Sequence, residues 1–146
     1  MAKGTGFTGL KVAPLVIPDG TTYTVQENHT GKIHILPDLT ADITISLPAV
    51  FDGAYYEFWY SGTAADAQDW VINAVAGDLF YGGLVHLDTD AGSAGDEVVV
   101  VDADKSDDDT VTVLTPEAGT VVKMVSDGTR WYISGYVASV TVPTFA

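Results

Sequence analysis

Along residues 41–47, Ile43, Ile45 and Leu47 point one way while Asp42, Thr44 and Ser46 point the other. That period of two is the mark of a half-buried β-strand. The same logic predicts strands over 21–27, where Tyr23 and Val25 share a face after Pro18-Asp19-Gly20, and over Lys32–Leu36, where Ile33 and Ile35 do. Further strands are expected over 55–60, 70–74, 83–87, 97–101, 110–115, 120–126 and 130–139. Turn chemistry separates them: Asp52-Gly53, Ser61-Gly62, Gly77-Asp78, Gly82-Gly83, Gly95-Asp96 and Ala118-Gly119. Ser126-Asp127-Gly128-Thr129 lies between two β-prone runs and predicts a two-residue hairpin of the primed type, with positive φ at Gly128. No stretch sustains a helical apolar period; the best candidate, 63–69 (T-A-A-D-A-Q-D), would form one or two turns.

Strands at roughly ten-residue spacing without intervening helices predict an all-β chain, an antiparallel β-sandwich that is jelly-roll-like and forms a single domain. The start contains Gly4, Gly6 and Gly9 and little to anchor it, so residues 1–11 are expected to be a flexible N-terminal arm and 12–146 the sandwich. No heptads, internal repeat or dividing linker interrupt that reading.

At 146 residues and 47% hydrophobic content, the chain can bury roughly two thirds of its unfolded surface. It has no cysteine, which removes disulfides and thiolate metal sites. Twenty acidic against six basic residues give a net charge of −14, which repels phosphates and anionic lipid. Neither nucleic acid nor a membrane is an expected partner. The first residues carry no apolar segment of signal-peptide length, and the expected site of synthesis is the cytoplasm.

Candidate chemistry is sparse. His86, Asp88 and Asp90 would share a face on an extended strand, a plausible metal-ligand set, yet no histidine follows His86 to complete the familiar triad. His29 and His34 lie upstream without multi-ligand spacing. The run from Asp102 to Asp109 is the densest in charge, but Asp107 stands where a calcium loop needs glycine and Val113 where it needs the distal acid. A solvated loop is the simpler reading, with an unconventional calcium site the alternative. Gly-x-Ser-x-Gly elbows and phosphate-cradling glycine patterns are missing. These observations predict a non-enzymatic protein without cofactor or metal, although two scattered carboxylates would suffice for a glycosidase.

Aromatic residues offer more. Tyr55, Tyr56, Phe58, Trp59 and Tyr60 make the strand 55–60 aromatic on both faces, which predicts either a central sandwich position or a subunit interface. Together with the apolar run 98–101, this exceeds what one small sandwich readily buries and predicts self-association. Trp59, Trp70 and Trp131 with Tyr55, Tyr56, Tyr60, Tyr132 and Tyr136 are equally a candidate sugar-stacking platform.

Four segments carry a resemblance: I-T-I-S-L-P-A at 43–49, D-G-A-Y-Y-E-F at 52–58, A-D-A-Q-D-W-V-I at 65–72 and D-G-T-R-W-Y-I-S-G at 127–135. With these, the chain from about Thr21 onward resembles small capsid decoration, or cement, proteins of tailed bacteriophages. The resemblance implies a β-sandwich that forms a homotrimer on the outer capsid surface of the virion, contacts the major capsid protein and bridges neighbouring capsomers. It supplies no catalytic residues. In that setting Lys3, Phe7, Leu10 and Lys11 would grip the capsid from the N-terminal arm, an ordinary mobile terminus being the alternative. Related hairpins in phage fibres make a carbohydrate- or receptor-binding module of a head or tail fibre the second reading.

Overall fold

The computed structural model describes residues 13–90, 92 and 98–146. Among them, twelve strands form two facing sheets: β1 Leu15–Val16, β2 Thr22–Thr24, β3 Lys32–Leu36, β4 Ile43–Ser46, β5 Asp52–Tyr60, β6 Trp70–Asn73, β7 Phe80–Asp88, β8 Val98–Asp102, β9 Thr110–Val113, β10 Val121–Asp127, β11 Trp131–Ser139 and β12 Thr144–Phe145. One sheet has seven strands in the order β1-β3-β5-β10-β11-β7-β8; the other has five, β12-β9-β6-β4-β2. A single 3-10 turn, Glu27–His29, follows β2, and no helix among the described residues is long and apolar enough to cross a membrane.

The chain is all-β, as the alternation predicted, but its sheets are mixed rather than antiparallel. Five strand pairings are parallel, β1/β3, β3/β5, β11/β7, β2/β4 and β4/β6. The reason lies in the route of the chain. From β1 to β6 each successive strand belongs to the opposite sheet. A strand in the facing sheet thus serves as the crossover that a parallel pair requires. Of the turns read from sequence, Ser61-Gly62, Gly77-Asp78 and Ala118-Gly119 are corners between sheets, whereas Asp52-Gly53 and Gly82-Gly83 lie within β5 and β7.

The core fills the space between the sheets. From the seven-stranded sheet Leu36, Tyr56, Phe58, Phe80, Leu84, Met124, Trp131 and Val137 point inward; Ile43, Ile45, Trp70, Ile72, Val111 and Val113 meet them from the other side. Residues 63–69 form no helix. Asp66 instead ties this loop down, accepting hydrogen bonds from the Leu39 and Gln68 N–H groups at 3.0 and 3.1 Å, because a short carboxylate competes with helix for nearby backbone donors.

The β10–β11 hairpin is antiparallel, with Ser126 opposite Trp131, so four residues, Asp127 to Arg130, separate the last pair rather than two. Gly128 has φ of +86°, but Lys105 and Thr115 are the described non-glycine residues with positive φ, so Asp127 does not complete a primed turn. Its carboxylate organises the loop instead, accepting bonds from the Thr129 N–H at 2.9 Å, the Thr129 hydroxyl at 2.6 Å and the Tyr132 hydroxyl at 3.0 Å. Those bonds, the Thr129 hydroxyl's first, hold the carboxyl well below the usual carboxylate range. Gly128→Val should destabilise the fold by about 1–2 kcal/mol, the cost of a left-handed conformation. A side chain there would also meet the Asp52 backbone nitrogen at 3.2 Å. An unchanged urea midpoint would contradict this loop conformation.

Candidate functional site: the outer face of the seven-stranded sheet

Side chains that alternate with the core residues line the outer face of the larger sheet. Strand register aligns them in rows. Val16 stands opposite Ile35, Ile35 opposite Trp59, Trp59 opposite Val121, Val121 opposite Tyr136, Tyr136 opposite Val85, and Val85 opposite Val100. An unbroken apolar and aromatic row therefore crosses all seven strands. At its ends Val16 and Val100 are 66% and 69% exposed, and Trp59 near its middle is 38% exposed. A second aromatic row runs from Tyr55 through Val125 and Tyr132 to Tyr81.

Between these rows sits the face's central polar group. Glu57 lies opposite Lys123, their charged atoms 3.8 Å apart. The Trp59 indole N–H donates to Glu57 Oε2 at 2.7 Å, and the Tyr55 hydroxyl donates to Oε1. Trp59 and Tyr55 flank Glu57 at two-residue spacing on the same face, so period-two geometry alone brings the three together. The carboxylate is screened from water by the rings that bond it. At one end of the face the Arg130 guanidinium lies 4.4 Å from the Tyr81 ring centroid, a cation–π contact.

The smaller sheet meets solvent differently. Thr22 pairs with Thr44, Thr44 with Val71, Val71 with Thr112, and Thr112 with Thr144; the next row is Thr24, Ser46, Asn73 and Thr110. Apart from Val71, the side chains in these two rows are hydroxyls and an amide. One outer surface is built for water and the other is not.

The expected interface strand divides along these lines. Tyr55 and Trp59 lie on the outer face. Tyr56, Phe58 and Tyr60 are buried in the chain's own core and are therefore not a subunit interface; the facing sheet, absent from any local reading, covers them. Burial pushes the Tyr56 phenol up to about 12, and its hydroxyl donates to the Gln26 carbonyl at 3.3 Å. Tyr60 donates to Asp38 and, at 2.7 Å, to the Ala64 carbonyl, and its phenol is also raised, chiefly by burial. Trp70 and Trp131 are buried as well, so the candidate platform reduces to Trp59 with Tyr55, Tyr132 and Tyr136, and the register adds Tyr81, which the sequence pattern did not include. Alternate positions of β7 and β10, notably Val85 and Val121, complete the row and were the signal a local reading overlooks. The arm residues Lys3, Phe7, Leu10 and Lys11 lie outside the described residues, as does Glu97 at the start of the expected strand 97–101.

The other constellations are engaged internally. His86 is buried, its Nε2 3.0 Å from the Ser139 carbonyl oxygen and 3.1 Å from Ser139 Oγ. Asp88 and Asp90 shape the following loop by accepting the N–H groups of Asp90 and Gly92, each at 2.9 Å. Among the described residues, the group of three acidic or histidine ligand atoms within 4.8 Å of one another is Asp104, Asp107 and Asp108. Oxygen donors of this kind suit a hard divalent cation. They are also the loop's own fasteners: the Ser106 N–H donates to Asp104 at 2.7 Å, Ser106 Oγ lies 3.0 Å from Asp107, and Asp108 accepts from the Asp104 N–H. The Ser106 bonds hold the Asp104 carboxyl below its ordinary range.

No protein-family model matches this chain, and no curated protein sequence does.

Proposed function

We propose that this protein is a non-enzymatic structural component of a phage virion, a homotrimeric cement protein on the outer capsid surface that contacts the major capsid protein and bridges neighbouring capsomers. In this reading its sandwich is jelly-roll-like, with five parallel pairings as a departure from the antiparallel pattern. The observation that carries the proposal is the outer face of the seven-stranded sheet, a wide apolar surface on a chain of net charge −14. A surface of that kind marks a contact between subunits, and area buried between subunits, whether copies of this chain or of the shell, stabilises the assembled state by mass action. Trimeric attachment multiplies weak contacts through effective concentration. The four sequence segments that resemble decoration proteins supply the particular setting.

Exposed Trp59, Tyr132 and Tyr136 on one flat face favour a second reading, a carbohydrate- or receptor-binding module of a fibre. Immunogold electron microscopy of purified particles tests both. Label over the capsid surface is the expected result. Label confined to fibres or tails would favour the second reading, and protein absent from particles altogether would overturn the virion assignment.

A further inference from the structure

The outer face of the seven-stranded sheet also indicates what covers it. We infer that it binds a second copy of this chain, face to face, about a two-fold axis running along β10. The inference rests on reading the protein as an assembly component, but it names a surface and a symmetry that the reading does not contain.

Three observations carry it. The first is self-complementarity. Outward from Val121, the row reads aromatic then aliphatic in both directions: Trp59 on one side answers Tyr136 on the other, and Ile35 answers Val85. A two-fold axis through the centre of this row lays each Trp59 over the second copy's Tyr136 and aliphatic flank over aliphatic flank, the arrangement an isologous contact demands. Size is the second. Seven strands of two to nine residues, spaced about 4.8 Å apart, present a face of roughly 30 by 20 Å at its widest. Allowing for its corrugation, that approaches the ~800 Å² per partner of a standard stable interface.

The third observation is charge. Copies of a chain carrying −14 repel one another wherever acidic surface meets acidic surface. The centre of this face is neutral, because Lys123 balances Glu57 and both are held in place by the strand register. The central carboxylate already has hydrogen bonds from Tyr55 and Trp59, and each Lys123, which an axis along β10 lays near its own copy, keeps its Glu57 partner 3.8 Å away. The hydroxyl-covered face of the smaller sheet offers no such contact, and it provides the comparison within one molecule.

The test is sedimentation velocity of the full chain from about 1 to about 100 μM, the range in which a dissociation constant of this order shows itself. The wild type should sediment as a dimer, or as a hexamer if trimers pair through this face. Val85→Lys combined with Val100→Lys places unpaired charges on the row and should weaken the pairing by at least 100-fold, about 2.7 kcal/mol, leaving monomers or trimers. Circular dichroism should be unchanged, because both valines are solvent-exposed in the single copy, and the melting temperature should lose its dependence on protein concentration. Val75→Lys adds the same kind of charge at an exposed valine off the sheet and should leave the assembly intact. A wild-type monomer or a simple trimer overturns the inference, as does an even-numbered oligomer that survives the double substitution. None of these outcomes depends on shells, so they are independent of particle labelling.

Discussion

Gly135→Ala should destabilise the protein by about 3 kcal/mol or more, the sum expected for an overpacked site and a strained backbone. Gly135 lies within β11, a strand paired on both sides, and faces Val122 across the β10 ladder. Its φ is +152°, and a Cβ built there would sit 2.1 Å from the Val121 carbonyl oxygen and 3.1 Å from Val122 Cα. Both obstacles are backbone, so no rotamer change relieves them. The strand must shift or the ladder must break. Gly20→Ala is the matched control, since a Cβ there meets nothing within 4 Å. It should be neutral or gain a few tenths of a kcal/mol from a less flexible unfolded chain. Equal urea midpoints for the two variants would refute the close approach of β10 and β11.

A second large effect should appear in acid. His34 is fully buried among Tyr23, Tyr56, His29 and Phe58, with the Phe58 ring stacked at 5.1 Å, and neither ring nitrogen has a partner of normal hydrogen-bond geometry. Burial lowers its pKa to about 4, the Glu57 backbone offsets part of that, and His29 and Lys32 push in the same direction as burial. Above pH 6.5 the imidazole is neutral both folded and unfolded and contributes no pH dependence. Between 6.5 and about 4 the unfolded chain takes up a proton that the folded protein refuses, so stability falls as pH falls. Below about 4 both states are protonated and this loss is complete. The total should be about 2 kcal/mol, less than the full shift implies because solvent near the His29 side screens the charge. His34→Phe preserves the aromatic packing and should flatten most of the slope. His29, whose pKa is also lowered by burial, would retain a small part. Identical melting-temperature profiles for wild type and variant between pH 4 and 7 would show that the imidazole is solvated.

Single strands were legible because their signal is local. Alternation at Ile43, Ile45 and Leu47 locates β4, and β3 falls on Lys32–Leu36 as read. The ends were not legible: β1 and β12 have two residues each, too short to show a period. Sheet membership was hidden for a different reason. Nothing in residues 21–60 says that β2 and β4 belong to one sheet and β3 and β5 to the other, since a corner between sheets uses the same short polar, Gly- and Pro-containing connections as a hairpin. The candidate site shows the same limit. Two-residue spacing correctly separates Tyr55 and Trp59 from Tyr56, Phe58 and Tyr60. Only the facing sheet decides which set is core, and only the cross-strand register assembles Trp59, Val121, Tyr136 and Val85 into one surface.

The alternation of strands between sheets also governs how the molecule reaches its native state. β5 is flanked by β3, its near neighbour in sequence, and by β10, where Tyr55 pairs with Val125, seventy positions later. β11 then joins β7, where Trp131 pairs with Phe80, fifty-one positions earlier. Such distant partners impose a large loop-closure entropy before any ladder forms, and slow folding follows. On the ribosome, at roughly 5–20 residues per second, β5 waits several seconds for β10 to emerge. Until then one edge of its aromatic strand stands unpaired, and β7 waits in the same way for β11. Yield of the folded protein should therefore depend on chaperone supply and expression temperature more steeply than its final stability would suggest.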